Sequence, residues 1–201
     1  MVCQEAAFEG AGRSMTVDIT PWQGVGSPPP SGGYGPLCDE CGLSRWVEIG
    51  GGPAEDVYHP NVDIFAGPNV DIVCDFERGA IPIHNRHAER IKAVHAIQHL
   101  SRDGMRYLLL ECVRIMVPGA MLFVMITDLE FVVRRLFEDG IVEEWLNCVF
   151  HGPNDRDKFG FHKWGYSFLT MKFELERAGF VNVQHQGYYN RWDLKMSAVR
   201  P

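Results

Sequence analysis

Between residues 45 and 130 the chain repeats one pattern: a short apolar run that ends in glycine or in a polar side chain. Arg45-Trp46-Val47-Glu48-Ile49 is followed at once by Gly50-Gly51-Gly52. Asn61-Val62-Asp63-Ile64 carries Asp63 at its end, and Val70-Asp71-Ile72-Val73-Cys74 runs into Asp75. Arg90–Ile97 leads to His95, Gln98 and His99, and the apolar run Met121–Ile126 to Thr127 and Asp128. An ordinary core gives no reason for five successive strand ends to be polar or glycine. Between the last two runs, Asp103–Met116 places Tyr107, Leu108, Leu110, Cys112, Val113 and Met116 at helical spacing and is expected to stop at Pro118-Gly119. Leu129–Phe137 resumes helical spacing. Strands alternating with helices specify an α/β fold with a mostly parallel sheet. Such a sheet takes its ligands beyond the carboxyl ends of its strands, where strand order reverses.

The flanks read differently. Residues 1–44 hold eight glycines, five prolines, five acidic residues and one basic residue, Arg13. Gly24–Gly35, with Pro28-Pro29-Pro30, can form neither a helix nor a central strand, so 1–44 is expected to be an extended arm or cap. The catalytic-type domain is then 45–201. Ser167–Ala178 reads as a helix closed by Gly179, followed by a β-hairpin from Phe180–Gln186 and Leu194–Val199. The N-terminus, starting Met1-Val2-Cys3, has no basic segment followed by an apolar one, so no signal peptide is expected. No apolar run approaches the ~18 residues of a membrane span. A cytoplasmic protein without a membrane partner is the expectation. The formal charge of −7 argues against broad nucleic-acid binding. The six cysteines, Cys3, Cys38, Cys41, Cys74, Cys112 and Cys148, are read as reduced thiols. Cys38 and Cys41 form one C-x-x-C, but zinc needs four ligands and no second pair of cysteines exists. The pair is therefore read as turn cysteines, with a metal clip as the alternative, and no metal site is assigned.

Several segments together resemble a class I S-adenosylmethionine-dependent methyltransferase, most nearly its small type 11-like branch. These are Glu48-Ile49-Gly50-Gly51-Gly52, Asn61-Val62-Asp63, Val70-Asp71-Ile72-Val73-Cys74-Asp75 and His95-Ala96-Ile97-Gln98-His99-Leu100. Arg114-Ile115-Met116-Val117-Pro118-Gly119-Ala120, Ile126-Thr127-Asp128-Leu129 and Arg177-Ala178-Gly179-Phe180 are similar to later motifs of the family. The likeness spans about residues 45–200. It implies a doubly wound, mostly parallel, Rossmann-like seven-stranded sheet with an antiparallel C-terminal hairpin, and S-adenosylmethionine as cofactor. It further implies that Gly50, Gly51 and Gly52 hold the methionine part and that Glu48 reaches its amino group directly or through water. Asp63, followed by Ile64, would accept the ribose hydroxyls, and Asp75 the adenine amino group, with Phe76 near the ring. His95 would lie between cofactor and acceptor. The alternative for Asp63 and Asp75 is turn formation or helix capping.

The chain departs from the family where Gln98 replaces a usual glutamate, Thr127 a usual proline, and His84-Asn85-Arg86-His87 follows Ile81-Pro82-Ile83. A nicotinamide-binding protein is disfavoured by spacing. Its fingerprint needs a glycine where Glu55 stands and an acid ~20 residues past the loop, whereas Asp63 follows Gly50 by 13 (63 − 50). With Pro53 and Pro60 between them, the first crossover has room for little more than one helical turn. Transfer to a hydroxyl requires removal of a proton, and His95, Asp128 and His162 are the candidate bases, ahead of His99. Arg156, Lys158, Lys163, Lys172, Arg177 and Arg191 interleave with Phe159, Phe161, Trp164, Tyr188, Tyr189 and Trp192. That pattern suits a phosphorylated, nucleotide-like or sugar-nucleotide acceptor, or equally a solvated face, and the expected acceptor is a small molecule such as a sugar, nucleotide or sugar-nucleotide hydroxyl or amine. Nucleic-acid methylation and a non-catalytic binding module are the alternatives.

Overall fold

A computed structural model describes residues 33–150 and 160–201. Residues 1–32 of the expected arm, and Arg156, Lys158 and Phe159 of the basic-aromatic segment, lie outside the described residues. Nine strands and four α-helices follow in the order β1 (Gly33–Tyr34), β2 (Trp46–Ile49), β3 (Tyr58–His59), β4 (Asn61–Asp63), β5 (Ile72–Val73), β6 (Ala88–Val94), α1 (Arg102–Ile115), β7 (Met116–Thr127), α2 (Leu129–Asp139), α3 (Glu143–Phe150), α4 (Phe168–Ala178), β8 (Val181–Tyr188) and β9 (Asp193–Val199). Seven strands form one sheet in the order β5-β4-β2-β6-β7-β9-β8, and β1 pairs with β3 separately. The run β5 to β7 is parallel; β9 lies antiparallel to both β7 and β8. This is the doubly wound sheet with a closing hairpin that the sequence implies. Strand order reverses between β2 and β6, so ligands are expected beyond Ile49 and Val94.

Local chemistry explains most boundaries. Ser101 caps α1 by accepting from the Gly104 N–H, and Ser167 with Thr170 forms a capping box on α4. Gly179 closes α4 at φ 105°, a left-handed position that favours glycine. The expected stop of the first helix at Pro118-Gly119 is corrected. The helix ends at Ile115, and β7 starts at Met116 and runs through the proline. The register between β6 and β7 slips there, from Ala88–Met116 to Arg90–Met121, so Pro118 sits in a bulge where no ladder donor is required.

The second half of the chain carries the described α-helices. No described helix joins β2, β4, β5 and β6, consistent with a first crossover too short to hold one. The buried faces of Val47, Ile49, Ile91, Leu122 and Val124 pack with Met105, Leu109 and Ile115 of α1 and with Met171 and Leu175 of α4. Glu174 ties the two helices together. Its buried carboxylate accepts from Arg102 Nη2 at 3.1 Å and Arg106 Nη2 at 2.9 Å, which hold it below the usual carboxylate range. α3 has no counterpart in the sequence reading. Its Trp145 and Cys148 make a small satellite core with Val132 of α2. No described helix is long and apolar enough to cross a membrane.

Candidate functional site

The turn after β2 is shaped by its glycines. Gly50 has φ 68°, and a Cβ there would lie 2.4 Å from Ala96 Cβ. A Cβ on Gly51 would meet Glu48, Val57 and Asn61 at 2.7–2.8 Å. Gly52, at φ 57°, faces open space. Two glycines thus press the loop onto the sheet and the third leaves its outer side clear.

The acids around this loop hold it in place. Asp63 is buried; its Oδ2 accepts from the Gly52 N–H at 2.9 Å and its Oδ1 from the Phe65 N–H at 2.9 Å. It therefore locks the glycine loop to the end of β4, and each oxygen keeps a second lone pair. Ile64 beside it is half-buried. Asp75 is partly exposed and turns the chain after β5 by accepting from the Glu77 N–H at 3.0 Å. Phe76 is buried in the main core, so its ring supports this edge from beneath.

Glu48 differs most from its expected position. Its side chain lies buried under the loop, where Oε2 accepts from the Tyr58 N–H at 3.1 Å and pairs with Lys92 Nζ at 3.1 Å. Oε2 is thus engaged inside the protein rather than directed at the glycine loop's outer side. Burial pushes the Glu48 carboxyl up to about 7, only partly opposed by Lys92. A carboxyl raised in the folded state contributes stability that is full below its unfolded value of 4.5 and is lost as pH rises through about 7. The wild-type chain should therefore lose stability relative to Glu48→Gln as pH rises over that window, by roughly 3 kcal/mol in all. Melting curves of both proteins at about pH 5 and about pH 8 check this. A constant gap would mean that Glu48 does not titrate as described.

At the end of β6 a second group of side chains assembles. His95 sits at φ 53°, a left-handed conformation uncommon for a side-chain-bearing residue, with its N–H bonded to the Met125 carbonyl at 2.9 Å. Its Nε2 lies 3.3 Å from Asp193 Oδ2, and its Nδ1 lies 3.3 Å from Gln98 Nε2. Gln98 Nε2 is also 3.1 Å from His162 Nε2, while His162 Nδ1 is 3.0 Å from the Cys148 carbonyl. A carbonyl only accepts, so His162 carries its proton on Nδ1 and presents a bare Nε2 to the Gln98 amide. Burial, reinforced by His99, holds the His162 imidazole down at about 4, leaving it neutral at pH 7. The same logic places the His95 proton on Nε2, donated to Asp193. Two buried acceptors in this linked group, Gln98 Oε1 and Asp193 Oδ1, have no hydrogen-bond partner among the described residues. Buried acceptors are ordinarily satisfied, by protein groups or by ordered water.

Asp128 is brought to the same edge in another capacity. It caps α2 through the Glu130 N–H at 3.0 Å and accepts the Tyr188 hydroxyl at 2.8 Å, buried throughout. Both oxygens are engaged in holding α2 against β8. A narrow cleft with room for about one water is lined by Gln98, Thr127, His162, Trp164 and Gly165, among others. Gln98 and His162 thus line both the polar group and the cleft. Sequence reasoning misses Asp193 altogether and registers Gln98 only as a departure. The signal for Asp193 is its register opposite Thr127, visible only once β9 pairs with β7. Two basic residues of the tail are engaged internally, Lys163 with Glu77 at 3.0 Å and Lys172 with Glu176.

No family model matches the sequence, and no curated protein matches it. Solved structures do. A Thermotoga maritima S-adenosylmethionine-dependent methyltransferase, described as a possible histamine N-methyltransferase, superposes with a TM-score of 0.56 at 17% identity, covering 78% of this chain and 82% of its own. An Archaeoglobus fulgidus S-adenosylmethionine-dependent methyltransferase gives 0.55 at 15% identity, over 77% and 85%. Phosphoethanolamine N-methyltransferase 2 of Haemonchus contortus, in complex with S-adenosylmethionine, gives 0.50 at 11% identity, over 78% of this chain and 48% of that one. At these identities the likeness shows a shared fold.

Proposed function

We propose that this chain, which has the class I S-adenosylmethionine-dependent methyltransferase fold, is a methyltransferase whose small acceptor carries the reacting group as a hydroxyl or an amine. The observation that supports this most is the pair of unpartnered buried acceptors, Gln98 Oε1 and Asp193 Oδ1, linked to His95. Once the group around Gln98 opens, an acceptor bearing O–H or N–H donors would satisfy them, as an ordered water would; a bare carbon or thioether would not.

The glycine edge suits the cofactor. Gly52 leaves its outer side clear, and Asp63, with lone pairs to spare, stands at the adjacent strand end to receive ribose hydroxyls. Asp75 and the core-seated Phe76 would border the adenine, with Ile64 beside the ribose. Gly50 and Gly51 would position the methionine part, and Glu48, paired with Lys92, would hold their loop from below. The cofactor when bound supplies the electrophilic methyl group. The residues supply alignment, exclusion of water and, for a hydroxyl, a proton acceptor. His95 is the best-placed base: Asp193 fixes its ring, and Nδ1 is the basic nitrogen, bonded at 3.3 Å to a Gln98 amide that an acceptor hydroxyl would displace. Neutral His162 orients Gln98. Asp128, buried and accepting from Glu130 and Tyr188, is a helix cap that fixes the wall of the cleft, and the half-exposed His95 side chain is the more accessible base.

With Lys163 and Lys172 already paired to carboxylates, a long phosphate backbone finds less to bind than the composition of the tail suggests. Methyl transfer from labelled cofactor to panels of sugars, nucleosides, small amines and short nucleic acids tests this. Turnover confined to small hydroxyl or amine acceptors is the expected result; turnover only on nucleic acid, or only on thiols or carbon acids, would overturn it.

A further inference from the structure

At the opposite edge of the sheet, residues 35–44 fold into a tight hairpin in front of β2. The Cys38 N–H bonds the Leu43 carbonyl and the Gly42 N–H bonds the Cys38 carbonyl, each at 2.8 Å, while Gly42 takes φ 71°. The turn sets the sulfurs of Cys38 and Cys41 on one side. Facing them is the loop that leads into β6, with His84 and His87. His84 Nε2 lies 3.3 Å from Cys38 Sγ and 3.5 Å from Cys41 Sγ. His87 Nδ1 lies 3.7 Å from Cys41 Sγ and 3.3 Å from His84 Nε2. All four donor atoms lie within 4.8 Å of one another.

We propose that Cys38, Cys41, His84 and His87 form a structural zinc site that fastens the segment ahead of β2 to the loop ahead of β6. A tetrahedral zinc with Zn–S of about 2.3 Å and Zn–N of about 2.0–2.1 Å has S–N edges of about 3.6 Å and an N–N edge of about 3.3 Å. The four separations above lie within about 0.3 Å of those edges. The outer nitrogens agree. His87 Nε2 lies 2.6 Å from the Ser44 carbonyl and His84 Nδ1 lies 2.9 Å from the Asn85 carbonyl. Since carbonyls only accept, both protons sit on the outer nitrogens and both inner nitrogens present bare lone pairs, the arrangement that orients metal-bound imidazoles. The backbone N–H groups of Glu40 and Cys41 point at the Cys38 sulfur, favouring its thiolate. Two histidines this close in sequence reach one centre because His84 uses Nε2 and His87 uses Nδ1.

Four protein ligands leave no position for water or substrate, which makes the site structural. Its place agrees: Ser44 and His87 precede β2 and β6, whereas the glycine loop and His95 come after them. Six residues of extended chain from Ser44 to Gly50 separate the two edges by ~20 Å. Binding releases the thiol protons and changes no oxidation state.

The full chain, purified under reducing conditions without a histidine tag, should carry about one zinc per molecule. Stripping it with a chelator should lower the melting temperature by about 5–10 °C, restored by zinc. Cobalt added to the stripped chain should give intense tetrahedral ligand-field bands together with thiolate charge-transfer bands. Cys41→Ser and His84→Ala should each weaken or abolish them, and Cys74→Ser should not. Where a variant fails to fold, the cobalt spectrum of the wild-type chain decides. A stripped chain that melts unchanged and gives no charge-transfer band would overturn the site. So would recovery of Cys38 and Cys41 as a disulfide in a fully stable, zinc-free protein.

Discussion

Replacing His95 with asparagine is expected to lower methyl transfer to a hydroxyl acceptor by ~10²–10⁴ while leaving cofactor affinity within a few-fold of wild type. Asparagine is the instructive choice because His95 sits at φ 53°, a conformation that asparagine tolerates and alanine does not. The variant therefore removes the proposed base without distorting the turn. It also breaks the contact with Asp193, so Asp193→Asn should slow the same step by misdirecting the ring. Raising pH should partly rescue His95→Asn, because solvent can then accept the proton. An amine acceptor that enters deprotonated should show a much smaller loss. Parallel loss of cofactor affinity and rate would instead place His95 in the cofactor pocket.

Asp63→Ala is expected to weaken cofactor binding by ~2–4 kcal/mol, on the order of 30- to 1000-fold. The same carboxylate accepts from Gly52 and Phe65, so the variant should also lose a modest amount of stability, ~1–2 kcal/mol. Titration calorimetry and melting curves on one preparation separate the two losses. Unchanged affinity beside a lower melting temperature would assign Asp63 to the turn alone.

The parallel sheet is legible because each strand announces itself twice, by an apolar run and by the glycine or polar side chain at its end. Gly50–Gly52, Asp63 and His95 stand at strand ends in the structure as the spacing implies. The features hidden from a linear reading depend on pairing between distant segments. Asp193 reaches His95 only because β9 runs antiparallel beside β7. The Cys38–Cys41 turn is visible in the sequence, but the other two donors lie more than forty residues downstream, on a loop that only the sheet brings alongside. Glu48 and Asp128 are the right residue type at the right end of a strand. Their oxygens are nevertheless taken by Lys92, Tyr58, Glu130 and Tyr188, partners that no linear pattern reveals. Helix α3 gives a weak signal because its buried side is narrow, little more than Trp145 and Cys148.

The central claim is that the edge formed by Gly52, Asp63 and His95 binds S-adenosylmethionine. Calorimetric titration of the full chain with S-adenosylhomocysteine, the demethylated product, tests it without knowledge of the acceptor. The expected result is one-to-one binding with a dissociation constant within ~1 μM–1 mM, weakened at least ~30-fold in Asp63→Ala and retained in His95→Asn. Absence of any binding up to millimolar ligand by a folded wild-type chain would contradict it.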